Sequence, residues 1–167
     1  MAVAGPETLR AVELAAGSLN QSEFRGQTRV VVPAEKLGDV FTTLRDSRGF
    51  DLLVDVTCVD YLNYRDAEHR FGLVYLLTST TTNERITLRV FLDEPNLTVI
   101  SAAGWWEGAN WMDREVFDMF GITFAGHPDH RRILNPDEFT AFPLRKDYPL
   151  QGRGERHNFP VLTRNQA

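Results

Sequence analysis

Two short constellations in this sequence carry the groups that acid/base or metal chemistry uses. The first is Asp113-Arg114-Glu115 followed by Asp118. Paired carboxylates serve hydrolytic acid/base catalysis when both face a cleft. On a helix, Glu115 and Asp118 are three residues apart and share a face, where like charges repel unless cations neutralise them. Arg131, Arg132, Arg145 and Lys146 follow closely in the chain, so the pattern predicts ion pairing rather than catalysis. The second is His127-Pro128-Asp129-His130. A metal centre needs a full ligand set with convergent orientation. Pro128 and an extended backbone give the two imidazoles no common orientation, and no third ligand is specified. A structural or interfacial role is expected for both histidines, His127 and His130.

The remaining reactive groups add no site. Cys58 lies mid-strand between Thr57 and Val59, where a buried, inert thiol is expected. Gly152-Arg153-Gly154 lacks the strand–helix setting of a phosphate loop. Trp105, Trp106 and Trp111 read as core and interface anchors. No catalytic residue, cofactor-binding residue or metal ligand is assigned from these residues.

The elements that must position these groups follow from apolar spacing and turn residues. Pro6 opens a helix carrying Leu9, Val12, Ala16 and Leu19, with Gly17 and Asn20 as stops. Thr28–Val32 reads as a strand. Pro33 opens a second helix with Leu37, Val40, Phe41 and Leu44 on one stripe, ended at Gly49. Phe50–Tyr61 reads as a mostly buried strand. Arg70–Thr80 and Glu84–Asp93 read as a hairpin about Thr81-Thr82-Asn83. In its second arm Ile86, Leu88, Val90 and Leu92 alternate with Thr87, Arg89 and Phe91, giving one core face and one mixed face. Leu97–Ala102 is either a short strand or a helix lead-in. Ala103–Phe120 reads as helical, stopped by Gly121.

Past Phe124 the character changes. Five of the eight prolines (Pro128, Pro136, Pro143, Pro149, Pro160) fall there, and no helix of useful length fits between them. The segment still carries Ile133, Leu134, Phe139, Phe142, Leu144, Tyr148, Leu150, Phe159, Val161 and Leu162. Such a Pro-rich polar end has two readings, a disordered C-terminus or, favoured by that density of anchors, an extended interaction arm laid into grooves on another surface and mobile without its partner. The division expected is a domain over 1–125 and an arm over 126–167. Residues 1–125 hold 11 basic and 18 acidic residues, net −7; residues 126–167 hold 7 and 5, net +2.

Composition bounds the function. The chain has 167 residues, 43% hydrophobic and 25% charged, with formal net charge −5. This suits one folded domain plus an appendage. The acidic balance argues against general nucleic-acid binding. One cysteine excludes an intrachain disulfide and a cysteine-rich cluster within the chain. There is no apolar run long enough to span a bilayer, and Met1–Leu19 has no signal-peptide core. Sixteen of the 18 basic residues are arginine; a GC-rich genome would produce this bias without physical purpose, and arginine forks equally suit pairing with carboxylates.

The stretch WMDREVFDMFGITFAGHPDHRRIL, from Trp111 to Leu134, followed by FPLRKDYPL, closely resembles the thirty-kilodalton subunit (the C subunit) of respiratory complex I, the proton-pumping NADH:quinone oxidoreductase. Matching positions include Trp111, Arg114, Glu115, Asp118, Gly121, His127, Asp129, Arg131, Arg132, Arg145, Lys146 and Asp147. Three positions depart from the pattern. Asp113 stands where glutamate is usual, His130 where leucine is usual, and Ala141-Phe142 where glycine-histidine is usual.

The resemblance implies an α/β (α+β) fold: a two-layer domain with a mixed sheet and helices on one face, plus the extended C-terminal arm. It implies a non-catalytic peripheral-arm subunit that scaffolds the forty-nine-kilodalton (D-type) quinone-site subunit and meets other peripheral-arm subunits. It implies no cofactor in this chain, with FMN, iron–sulfur clusters and quinone carried by partners. Membrane association would be only through the complex, at the cytoplasmic face of a bacterial inner membrane. Arg114, Glu115, Asp118, Arg131 and Arg132 would organise the hinge between domain and arm, while Arg145, Lys146 and Asp147 would dock the distal arm. The alternatives are the equivalent subunit of a membrane-bound hydrogenase or ferredoxin-driven complex, and a free-standing hydrolase using Asp118 and His127.

Overall fold

The computed structural model describes residues 2–18 and 20–155. Leu19, Phe159, Pro160, Val161 and Leu162, which carry part of the sequence reading, lie outside the described residues. The central hairpin is β5 (Phe71–Thr78) and β6 (Glu84–Leu92), antiparallel throughout. Asn83 closes its turn at φ 58°, a left-handed conformation that asparagine tolerates. Alternation sorts the side chains as the sequence predicts. Leu73, Tyr75, Leu77, Ile86, Leu88 and Val90 are fully buried, while Val74, Leu76, Arg89 and Phe91 are half-buried.

β4 (Leu52–Asp60) pairs antiparallel with β5 on one side of the hairpin. On the other side β3 (Gln27–Val31) and the short β1 (Ala2–Val3) both pair parallel with β6. β2 (Asn20–Phe24) completes a hairpin with β3, so the main path runs β2-β3-β6-β5-β4. The sheet is mixed, as expected.

Helices α1 (Pro6–Ala16), α2 (Leu37–Thr42) and α3 (Ala109–Phe120) supply the second layer. Val12, Phe41 and Val116 join the buried strand residues in one core. Phe41 meets Tyr75, Trp105 and Trp106 edge-on at centroid separations of 5.2–5.3 Å, an arrangement aromatic quadrupoles favour.

Four local features differ from the sequence expectation. β2 has no apolar alternation and is exposed throughout, so periodicity gave no sign of it; the Arg25-Gly26 turn, at φ 52° and 71°, was the available signal. β4 is buried on one face only, with Leu52, Asp55 and Thr57 exposed and a register shift between Leu53 and Asp55. The second helix begins as a 3-10 turn at Ala34–Lys36 and ends in a wide π turn at Thr43–Ser47. The stretch after Ser101 is a 3-10 turn at Ala102–Gly104, and α3 starts only at Ala109.

Leu97–Ala102 resolves as β7 (Thr98–Ile100). It pairs parallel with β8 (Thr123–Ala125), which follows α3 directly. This small ladder sets the direction in which the chain leaves the helix. Gly121 makes the exit possible. Its φ is 77°, and its N–H closes on the Phe117 carbonyl. A Cβ there would stand 2.6 Å from the Phe142 ring and 2.9 Å from Arg145 Nη2. Gly121→Ala is therefore expected to cost about 2–4 kcal/mol from left-handed strain plus overpacking. Denaturant unfolding checks this, and a loss below about 0.5 kcal/mol would contradict the close approach.

Candidate functional site

The C-terminal half of α3 meets the chain that follows it through two residues one helical turn apart. Arg114 and Asp118 are separated by i,i+4 and share a face. The Arg114 guanidinium donates from Nε to the Arg131 carbonyl (2.9 Å) and from Nη2 to the Arg132 carbonyl (3.1 Å). Asp118 takes the next three peptide groups with the opposite polarity. Its Oδ2 accepts from the backbone N–H of Ile133 (3.1 Å), Leu134 (2.7 Å) and Asn135 (2.8 Å). Its Oδ1 accepts from Arg132 Nη1 (2.6 Å) and Asn135 Nδ2 (3.0 Å). Five consecutive residues of the arm are thus held through their backbone by one cation and one carboxylate.

The electrostatics follow from this geometry. Burial alone would raise the Asp118 pKa. The hydrogen bonds from Asn135, Arg132 and Leu134 outweigh it and bring the carboxyl down to about 2. Arg132 is enclosed by the rings of Phe142, Phe139 and Phe117, at 5.2, 5.8 and 6.0 Å from their centroids, a cation–π setting that strengthens on desolvation.

A second cluster fixes the distal arm. Asp60, fully buried at the end of β4, accepts from the Leu62 N–H and, across the fold, from the Lys146 N–H at 2.8 Å. Arg70 bridges Asp60, Glu94 and Asp147 at 3.4, 3.1 and 2.8 Å. Arg145 donates to the Phe120 carbonyl (2.6 Å) and to Glu94 (2.9 Å). Asp147 is held below the usual carboxylate range chiefly by Arg70. Through residue 155 the arm has many contacts with its own domain. The grooves expected on another surface are, for Phe139 and Phe142, supplied by this chain.

The residues singled out in the sequence are therefore dispersed over distinct roles. Arg114, Asp118 and Arg132 form one cluster; Arg145, the Lys146 backbone and Asp147 belong to the other. Asp129 pairs with Arg131 at 2.6 Å and, more loosely, with Arg114 at 3.6 Å. Arg131 is largely exposed. Glu115 is exposed and makes no ion pair among the described residues, although it lies near Asp118 on the helix. Trp111 is 61% exposed, with the Arg114 guanidinium 5.3 Å above its ring.

The two histidines of the His127–His130 motif are spent on backbone. His127 Nδ1 accepts the Asp129 N–H, and its Nε2 meets the Asn110 carbonyl at 3.0 Å, which fixes the Nε2–H tautomer. His130 Nε2 accepts the Phe124 N–H, and the ring sits 4.1 Å from Phe117. The departure at 130 thus keeps an apolar contact and adds a polar one. Both imidazole lone pairs are committed, and no group of metal-ligating residues forms among the described residues.

Asp60, Arg70 and Glu94 were not anticipated as docking residues, because each acts across more than fifty residues of sequence in at least one contact. A carboxylate closing an apolar strand, as Asp60 does, was the one visible signal. Asp113 was read as part of an ion-paired cluster. It is instead fully buried, accepting from the Ser101 hydroxyl (2.7 Å) and the Ala102 N–H (3.2 Å). Burial pushes its pKa up to about 7 against those bonds. Burial, then Asp60, also raises the Cys58 thiol to about 12, leaving it unreactive.

Asp118 and Asp113 give stability opposite pH dependences. The Asp118 contribution is full above about pH 4 and is lost as pH falls toward about 2. The contribution of Asp113 is full below about pH 4 and is lost as pH rises toward about 7. Asp118→Ala is expected to cost about 3–5 kcal/mol by stranding Arg132 and three amides. Asp113→Asn is expected to flatten the decline in stability between about pH 4 and 7. Urea titrations across that range check both; an unchanged midpoint for Asp118→Ala or an unchanged slope for Asp113→Asn would contradict these assignments.

Comparison with known proteins places the fold. The family described as the respiratory-chain NADH dehydrogenase 30 Kd subunit matches residues 30–154. The chain is 42% identical over 140 residues to the NADH-quinone oxidoreductase C subunit of Geobacter sulfurreducens, covering 84% of this chain and 85% of that one. It is 47% identical over 146 residues to the C subunit of a Roseiflexus species, covering 86% and 82%. Among solved structures, the trypsin-resistant fragment (1-134) of Nqo5 superposes with TM-score 0.66 at 34% identity, over 72% of this chain and 96% of the fragment. A chain of the archaeal membrane-bound sulfane sulfur reductase shares the fold at TM-score 0.72 and 22% identity, over 95% and 92%. A family match over most of the chain and relatives above 40% identity agree with the geometry, and the chain belongs to the family of the respiratory-chain NADH dehydrogenase 30 Kd subunit, the C subunit of NADH-quinone oxidoreductase.

Proposed function

We propose that this chain is a non-catalytic, peripheral-arm subunit of a proton-translocating NADH:quinone oxidoreductase, and that it scaffolds the forty-nine-kilodalton quinone-site subunit. The observation that carries this reading is what the docked arm leaves outward. Leu134, Leu144 and Leu150 of the arm, and Trp111 on the neighbouring α3, are 52% or more exposed, while the backbone N–H groups of Leu134 and Leu144 are bonded to α3. Large apolar side chains held rigidly in water are the pattern of an interface awaiting its partner. The arm is thus shaped by its own domain, and it offers the partner a preorganised surface.

Turnover is left to the partners. Asp118 has both oxygens engaged and the His127 ring nitrogens are both committed, so the pair lacks the free base that hydrolysis by this chain would need. FMN, iron–sulfur clusters and quinone are assigned to partner subunits. No helix among the described residues is long and apolar enough to cross a membrane. Attachment at the cytoplasmic face of the inner membrane, through the complex, belongs to the same proposal.

Trp111→Ala and Leu144→Asp are each expected to lower co-isolation with the forty-nine-kilodalton subunit about ten-fold, leaving the melting temperature of the isolated chain unchanged. Quantitative mass spectrometry of the purified assembly reads the outcome. Full co-isolation of both variants would contradict the proposed contact surface.

A further inference from the structure

The helices cover one face of the sheet; the other face is open and carries an unusual cluster. Arg29 on β3 and Arg85 and Arg89 on β6 all point outward. Arg29 stands beside Thr87, the residue midway between the other two. All three are half-buried. None has a hydrogen bond or ion pair to a carboxylate among the described residues, and the undescribed ones include no Asp or Glu. Arg85 Nε is buried with no hydrogen-bond partner. Arg29 instead lies over the exposed ring of Phe24, 4.9 Å from its centroid. Gathering three like charges on neighbouring strands is unfavourable, and this chain has 23 acidic residues with which to avoid it.

Apolar groups are interleaved with these charges. Arg89 is flanked in register by Val74 and Val31. Beside it, Tyr61, Tyr64, His69, Arg89 and Phe91 line a cleft of about 400 Å³. His69 stacks on Phe91 at 5.3 Å, oriented by Asp93 at 2.5 Å, so one wall is rigid.

We propose that this open sheet face binds a segment of a partner polypeptide in which carboxylates flank a large apolar side chain. The carboxylates meet Arg29, Arg85 and Arg89, and the apolar side chain enters the cleft between Phe91 and Tyr61–Tyr64. Bidentate guanidinium–carboxylate pairing supplies the match. A nucleic acid or an anionic bilayer fits less well. Asp66 and Glu68 line the same cleft, and the chain as a whole is negative, so a continuous phosphate surface would meet repulsion.

The test uses the intact assembly, and so rests on the subunit reading. Arg89→Lys keeps the charge and introduces an amine that a carbodiimide couples directly to a neighbouring carboxylate. The expected product is a cross-link from that amine to an Asp or Glu of another polypeptide, next to a large apolar residue. Coupling only to this chain's own Asp55 or Asp93, only to lipid, or to nothing would overturn the proposal. In parallel, Arg85→Glu combined with Arg89→Glu is expected to lower co-isolation with that polypeptide about ten-fold. Arg10→Glu, on exposed α1 surface, has the same charge sign and should leave it intact. Arg89→Gln, with no added charge, should give a smaller loss and guards against misfolding of the double reversal; equal losses with Arg10→Glu would overturn the proposal. Failure of the wild-type chain to co-isolate with any partner would instead contradict the subunit reading, so the two failures are distinct.

Discussion

The structure depends on how one helix face satisfies the backbone of a chain that has no secondary structure to do so. A proline-rich segment cannot pair its amides and carbonyls within itself. Arg114 and Asp118 solve this with opposite chemistries one turn apart. The guanidinium takes two carbonyls and the carboxylate takes the three amides that follow. The pairing is directional, since exchanging the two residues would present donors to donors. It also makes a buried charge tolerable, because each oxygen of Asp118 finds the partners that desolvation alone would deny it.

Everything downstream inherits that register. Once Ile133–Asn135 are placed, Phe139 and Phe142 fall beside Arg132, and Phe142 comes to rest against Gly121, where no side chain could stand. Arg145 then spans from the end of α3 to Glu94, and the Lys146 amide reaches Asp60. The docked segment stays outside the sheet's hydrogen bonding yet is tied to the domain at several points. The positive balance of the arm, net +2 against −7 for the rest, is expressed in these contacts between arginine and carboxylate.

Much of this was legible in the sequence, and the parts that were not share a cause. The core hairpin was readable because alternation in Ile86, Leu88, Val90 and Leu92 reports burial directly. The pairing of Asp118 with Arg132 was visible from carboxylates on one helix face followed closely by arginines; the place of Arg114 came only with the family resemblance. β2 was hidden because an exposed edge hairpin has no burial period to report. The role of Asp113 was hidden because an acidic residue in a charged run reads as solvated; only its neighbour across the fold, Ser101, makes it a buried cap. Asp60, Arg70 and Glu94 act through contacts that topology, not spacing, brings together. The arm's anchors were recognised but their recipient was not, since grooves on one's own domain and on a partner ask for the same side chains.

The most direct measurement of the central claim is amide hydrogen exchange in the isolated full-length chain. If Arg114 and Asp118 fold the arm onto its own domain, the amides of Ile133, Leu134 and Asn135 are protected before any partner is present, and Asp118→Asn releases them selectively. Exchange of those three amides at the rate of an unstructured peptide in the wild-type chain would show that the arm is held by its partner instead, and would contradict the account.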